Sequence, residues 1–211
     1  MNNQTNKTGK LIIISAPSGA GKTTLVKALC ESDPKILVSV SHTTRPIRDG
    51  ETEGIAYFFT DENSFKAMAD NNQFLEHAKV FDNFYGTSKS WVESRLNEGY
   101  DVILEIDWQG AALIRPLMPE CVSIFILPPS IEALASRLKG RDENDTSTIQ
   151  RRMRDAVSEI SHHDEYDILV INNEFAQALS ELQGIVAALR ENRQIQQVDL
   201  RQFVADLMAE T

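Results

Sequence analysis

Residues 11 to 24 read Leu11-Ile12-Ile13-Ile14-Ser15-Ala16-Pro17-Ser18-Gly19-Ala20-Gly21-Lys22-Thr23-Thr24, and this stretch decides the fold. The apolar run predicts a buried strand. The glycine-bearing turn behind it ends in Gly21-Lys22-Thr23 and runs into a helical pattern, Thr24-Leu25-Val26-Lys27-Ala28-Leu29. A strand, such a turn and a helix N-terminus together form a cradle of backbone N–H groups that suits a polyphosphate. Lys22 then reaches the outer phosphates, and the Thr23 hydroxyl is placed for Mg²⁺. Ala16, Pro17, Ser18, Gly19, Ala20, Gly21, Lys22, Thr23 and Thr24 are thus the residues expected around a nucleoside triphosphate. Ala16 stands where the usual pattern has glycine, so the turn works with Gly19 and Gly21 alone.

Similar short apolar runs recur at 11–14, 36–40, 102–106, 122–127 and 168–171. They are continuous rather than alternating, as parallel strands covered on both faces require. Helical stripes lie between them. Ile149, Met153, Ala156, Val157 and Ile160 share one face, with Ser147 and Gln150 as a capping box. Phe175, Leu179, Leu182, Val186 and Leu189 share another. Strand–helix alternation with a phosphate loop in the first turn predicts an α/β fold: a doubly wound parallel sheet with helices on both faces.

Residues 41–90 break this rhythm. They carry a strand-like Ile55-Ala56-Tyr57-Phe58-Phe59, a short helix over 61–71, and Phe84-Tyr85-Gly86-Thr87, which reads as a tight turn. We read this as a small mixed α/β insertion. The irregular Lys139-Gly140-Arg141-Asp142-Glu143-Asn144-Asp145 reads as a lid reaching to about 152. The expected division is a tail over 1–9 and a single domain over 10–211. Within it, 10–40 and 91–211 are core, 41–90 is the insertion and 139–152 the lid.

The chain has 211 residues, 42% hydrophobic and 25% charged, ordinary for a globular protein. No run approaches the roughly 18 apolar residues that span a bilayer, and the polar N-terminus is not a secretory signal. Cys30 and Cys121 lie far apart, with no thiolate-metal spacing, and fit a reducing cytoplasm. The net charge of −10 argues against an extended nucleic-acid surface. An anionic ligand must therefore meet local basic clusters.

One cluster is Arg45 and Arg48, in a loop leaving a strand, where two guanidinium forks suit a phosphate; by themselves they read more readily as solvated surface charges. Arg137, Arg141, Arg151 and Arg152 flank the irregular stretch, where some would neutralise a transferring phosphoryl group and others pair with helix-surface acids. Glu105 and Asp107 end a strand, where α/β sheets place their ligands, and Asp107 occupies the position of a Mg²⁺-associated carboxylate. Tyr57 and Tyr85 each offer a hydroxyl. His42 reads as structural, and Glu76 as a surface acid.

Several segments together resemble the guanylate kinase family. They include the phosphate loop, Ser41-His42-Thr43-Thr44-Arg45-Pro46-Ile47-Arg48-Asp49-Gly50-Glu51, Gly54 to Phe59, Phe74-Leu75-Glu76, Tyr85-Gly86-Thr87 and Leu104-Glu105-Ile106-Asp107-Trp108-Gln109-Gly110. Arg137-Leu138-Lys139-Gly140-Arg141 and Arg151-Arg152-Met153 continue the likeness, which runs from about residue 10 to 190. The resemblance implies transfer of the γ-phosphoryl of ATP to GMP, and to dGMP, with Mg²⁺ as cofactor, in purine nucleotide metabolism. It implies that Arg45, Arg48, Tyr57 and Tyr85 hold the GMP phosphate, with Glu51 orienting the arginines. Ser41, Glu76 and Thr87 would read guanine, whose N1–H and N2–H₂ form a donor pair that adenine lacks. Glu105 and Asp107 would stand between acceptor and donor; Arg137, Arg141 and Arg152 would be lid arginines; Asn172 would flank the adenine. The family's lid has a further glycine where this chain has Asp142.

Two other readings stay open. Guanylate-kinase-like scaffolds bind phosphopeptides without a working phosphate loop, whereas Gly21-Lys22-Thr23 is intact here and the length suggests no further module. A kinase of the same lineage acting on another phosphorylated acceptor would lack the combination of Ser41, Glu76 and Thr87. The expected partners are ATP and GMP, with no nucleic acid and no membrane; a homo-oligomer is left open.

Overall fold

The structure is a computed structural model and describes residues 8–80, 82–139, 146–196 and 198–209. Among these, a parallel sheet has the order β2-β7-β1-β8-β9. Its strands are β1 (Leu11–Ser15), β2 (Ile36–Val38), β7 (Asp101–Glu105), β8 (Val122–Leu127) and β9 (Ile168–Ile171). In β1, Leu11 and Ile13 enter the core on one face while Ile12 and Ile14 enter the core on the other. Phe125 and Leu127 oppose Ile124 and Ile126 in the same way. With apolar layers on both faces, successive strand positions in the sheet's middle are apolar, which is why the runs are continuous. Each such side chain contributes about 1.5–3 kcal/mol by burial.

Helices α1 (Lys22–Ser32) and α7 (Phe175–Arg190) cover one face through Leu25, Val26, Leu29, Ala178, Leu182 and Val186. The other face is covered by α3 (Lys89–Asn97), α4 (Trp108–Leu117), α5 (Ile131–Lys139), α6 (Thr146–Ile160) and α8 (Arg201–Ala209). The sequence reading did not include α8, whose Val204 and Leu207 are nonetheless buried in this core. The C-terminal ends of β1 and β7 thus open onto one edge of the molecule, carrying the phosphate loop and the acids Glu105 and Asp107.

A second sheet, of order β4-β3-β6-β5, gathers β3 (His42–Thr43), β4 (Phe58–Phe59), β5 (Phe74–Val80) and β6 (Asn83–Ser88). Helix α2 (Glu62–Asp70), N-capped by Asp61, packs on it. Phe65 is fully buried, its ring stacked 4.6 Å from that of Phe74 and 5.5 Å from that of Phe84. This stack depends on Gly86. A Cβ there would stand 2.9 Å from Phe74 and 3.0 Å from Phe65, so any side chain would lift the rings off the sheet.

Three local expectations are corrected. Phe84-Tyr85-Gly86-Thr87 is strand β6, not a turn, because it pairs with both β3 and β5. Of the strand-like 55–59 run, only Phe58 and Phe59 are strand; Gly54, at φ 73°, turns the chain, and Glu53 bridges to Tyr57. Helix α6 begins at Thr146, which places Ser147 inside the helix instead of at its cap. Residues 140–145 of the proposed lid, with Arg141 and Asp142, lie outside the described residues.

Candidate active site

The loop after β1 is shaped by left-handed glycines and held from three sides. Gly19 and Gly21 lie at φ 90° and 92°, a region closed to most side chains. Gly21 precedes the first residue of α1, so the helix N-terminus opens directly onto the cradle. A Cβ on Gly21 would also fall 2.4 Å from Asn172 Nδ2. Buried Asn172 donates that amide to the Ala20 carbonyl at 2.7 Å, which pins the loop from β9. Arg137 reaches the same place, donating to the carbonyls of Ala20 (3.4 Å) and Asn172 (3.2 Å). From α6, Arg152 Nη2 donates to Ser18 Oγ at 3.0 Å, and Glu159 Oε2 accepts from the Ser18 amide at 3.0 Å.

Two cavities adjoin the loop. One of about 200 Å³ is lined by Ala16, Pro17, Ser18, Gly19, Gly21, Lys22, Thr23, Asp107 and Glu159. The other, of about 410 Å³, lies between Gly19, Gly21, Thr24, Arg137, Asn172, Asn173 and Phe175. The first is rich in polar groups, the second carries the Phe175 ring at a nucleoside-sized hollow.

Lys22 points toward the end of β7, its ammonium 3.5 Å from the Ile106 carbonyl. Loss of solvation around the ammonium pulls its pKa down, and the carboxylates of Glu105, Glu159 and Asp107 oppose that shift. Glu105 is pushed the other way, upward, by burial, with Lys22 resisting. Glu105 Oε1 is buried without a hydrogen-bond partner among the described residues, which is costly unless a ligand supplies a donor or a cation. Asp107 caps α4: its Oδ1 accepts from the Gly110 amide at 2.8 Å, fixing the carboxylate beside the loop. Thr23 is exposed at the cavity.

The second group forms on the smaller sheet. Arg45 is 9% exposed and meets Glu51 at two points, Nη1 to Oε2 at 3.0 Å and Nη2 to Oε1 at 2.6 Å. The amide of exposed Arg48 donates to Glu51 Oε2 at 2.9 Å. The Arg45 guanidinium lies 5.3 Å from the Tyr57 ring centre, and the Tyr57 and Tyr85 rings meet edge to face at 5.8 Å. The hydrogen bonds that Arg45 donates to Glu51, and more weakly the influence of Tyr85, raise the Arg45 pKa, so the fork is a fixed cation.

Glu76 and Thr87 face one another on β5 and β6, the hydroxyl donating to Glu76 Oε1 at 2.7 Å. Both are buried. Burial pushes Glu76 up to about 7, partly offset by the Thr87 hydrogen bond and reinforced by the charge of Asp107. Ser41 precedes β3; continuing the pairing of His42 with Gly86 by one residue sets it beside Thr87. Glu76 is therefore not the surface acid that its local sequence suggests. His42 stacks on Phe58 at 5.0 Å, in keeping with a structural role.

Glu159 was not among the residues singled out from the sequence. Its one signal is spacing: it follows Arg152 by seven residues, two turns along the same helix face. Chemically, the site combines an anion cradle, a half-buried lysine, acids at a strand end and a second arginine-based anion fork on the sheet that carries a buried carboxylate.

Known proteins resemble this chain over most of its length. A family model described as guanylate kinase matches residues 8–189. The guanylate kinase of Hahella chejuensis is 56% identical over 199 residues, covering 94% of each chain. That of Pseudomonas fluorescens is 52% identical over 204 residues, covering 97% of this chain and 99% of the relative. The crystal structure of guanylate kinase from Anaplasma phagocytophilum superposes with a TM-score of 0.71 at 33% identity, covering 95% of each chain. The chain belongs to the guanylate kinase family and transfers a phosphoryl group from ATP to GMP.

Proposed function

We propose that ATP lies along the phosphate loop and GMP on the smaller sheet, so that the two meet over the end of β7. The observation that carries this reading is the placement of Asp107, which lines the phosphate-loop cavity with Lys22 and Thr23 and whose charge also reaches the buried Glu76. Asp107 acts on both Lys22 and Glu76, and Glu105 acts on both Lys22 and Tyr57. The two acids therefore stand between the donor groups and the acceptor groups.

On the donor side, the amides of 16–24 and Lys22 bind the triphosphate, and the base and ribose enter the hollow beside Arg137, Asn172 and Phe175. Asn172 serves through its grip on Ala20. On the acceptor side, Arg45, Arg48, Tyr57 and Tyr85 take the GMP phosphate, with Glu51 holding Arg45 in place. Glu76, Thr87 and Ser41 read guanine through its adjacent donors. These groups address base and phosphate, so dGMP is accepted as well.

Mg²⁺ fits the residues present. Magnesium in kinase sites takes one or two carboxylates plus substrate phosphates, not an all-protein cage. Among the described residues no cluster of three or more metal-type side chains occurs. Asp107, with Oδ1 spent on Gly110, and the Thr23 hydroxyl share the cavity and would hold the ion, directly or through water. The unpartnered Glu105 Oε1 would take one of its waters or the acceptor. When bound, the ion would offset the charge of the phosphates. The chain's own contribution is alignment of two anions and neutralisation of the moving group by Lys22, Arg137, Arg141 and Arg152. The half-buried free thiols of Cys30 and Cys121 fit the cytoplasm, where GMP is recycled into the purine nucleotide pool.

The test is ADP formation with GMP, dGMP, AMP, UMP and CMP, with Mg²⁺ and after chelation. We expect turnover with GMP and dGMP alone, abolished by chelation and restored by Mg²⁺. Comparable turnover with AMP, or full activity without a divalent ion, would overturn the assignment.

A further inference from the structure

Arg152 and Glu159 lie two turns apart on α6 and end on the same loop residue with opposite polarity. Arg152 donates to the Ser18 hydroxyl, and the Ser18 amide donates to Glu159, each at 3.0 Å. Glu159 also lines the cavity shared by the loop, Lys22, Thr23 and Asp107. Burial raises its pKa, against the Ser18 amide and the Lys22 charge. A carboxylate at the N-terminal edge of an anion cradle is an unusual neighbour, since it repels the ligand that the cradle binds. Its position needs a compensating role, and the geometry supplies one.

We propose that Glu159 is a positioning residue for the phosphate loop, holding the Ser18 amide so that the loop keeps its nucleotide-binding shape before ATP arrives and moves together with α6. A loop populated only part of the time in its competent shape binds more weakly in proportion to that fraction. The two contacts on Ser18 couple the loop to the helix that follows the lid stretch. This inference rests on the reading that ATP occupies the phosphate loop.

The test measures ATP and GMP affinity by calorimetry for wild type, Glu159→Ala, Glu159→Gln, Glu159→Asp and Lys22→Met. Hydrogen exchange of the 16–23 amides is followed in parallel. Glu159→Ala should weaken ATP binding about tenfold or more, the scale of one hydrogen bond to a charged group, and leave GMP affinity unchanged. Exchange in the loop should quicken. Glu159→Gln keeps an acceptor at the same reach and should restore most of the affinity and protection. Glu159→Asp keeps the charge but is one methylene short, and should behave like Glu159→Ala, standing in for it if the alanine variant does not fold. ATP binding at or above wild-type strength in Glu159→Ala or Glu159→Asp would overturn the proposal, as would a Glu159→Gln variant as weak as Glu159→Ala. ATP binding indifferent to Lys22→Met would instead sink the donor-site reading beneath it.

Discussion

The Thr87 hydroxyl donates to Glu76 Oε1 at 2.7 Å within a buried pair that joins β5 to β6. One carboxylate oxygen is thereby committed to the protein. The remaining lone pairs of the carboxylate would accept from a guanine edge, which offers two adjacent donors. In the proposed acceptor site, this pair is what would turn a sheet register into a base-reading device.

Glu76→Gln follows from this. An amide presents its NH₂ to guanine donors or flips and loses a contact. We expect kcat/KM for GMP to fall by about 10²-fold or more, the scale of a site built on hydrogen bonds that its ligand can no longer make. The KM for ATP should hold. Steady-state kinetics with each substrate varied in turn checks it; wild-type kcat/KM for GMP would remove Glu76 from the acceptor site.

The same carboxylate sets a pH dependence. Burial lifts it from an ordinary 4.5 to about 7, so between these values the folded protein keeps a proton that the unfolded chain has lost. Stability without ligand therefore declines as pH rises through that window, by on the order of 3 kcal/mol in all. Glu76→Gln escapes the decline and should melt higher than wild type at pH 8, and no higher at pH 4. Parallel stability–pH curves for the two proteins would contradict this. GMP favours the ionised form, so its binding should release a proton near pH 6 in wild type beyond any released in Glu76→Gln, measurable by calorimetry in buffers of different ionisation enthalpy.

Arg45 depends on Glu51 for its orientation, through the two-point contact at 2.6 and 3.0 Å. Glu51→Ala leaves the cation in place but frees it to rotate. KM for GMP should rise about tenfold through lost preorganisation, with KM for ATP unmoved. An equal rise for both substrates would assign Glu51 to the fold as a whole.

Lys22→Met removes the ammonium that faces Glu105, Glu159 and Asp107. Turnover should drop by about 10³-fold, the scale of a single electrostatic contributor to the transition state, while GMP still binds. Loss of GMP affinity together with activity would make Lys22 a determinant of the fold.

Arg152→Ala should lower kcat by roughly 10²-fold and change KM for GMP little, since its guanidinium stands at the loop's Ser18 and not on the acceptor sheet. Unchanged kcat would reduce Arg152 to a loop contact.

The sequence by itself determined the phosphate loop and the central strands. Both are local: a continuous apolar run suits only a strand covered on two faces, and Gly19 and Gly21 permit the left-handed turn at φ 90° and 92°. The arginines, Glu76 and Thr87 were legible only through family likeness, because nothing in the neighbouring residues separates a buried Glu76 from an exposed one. The tertiary structure decided that Phe84 to Thr87 are strand, since β6 exists by pairing with β3 and β5 on its two sides. It decided that the charge of Asp107 reaches both Lys22 and Glu76, and that Glu159 meets Ser18 across 141 positions of chain. Such contacts are set by sheet register and helix packing, which sum over the whole fold. A window of sequence holds only one side of each.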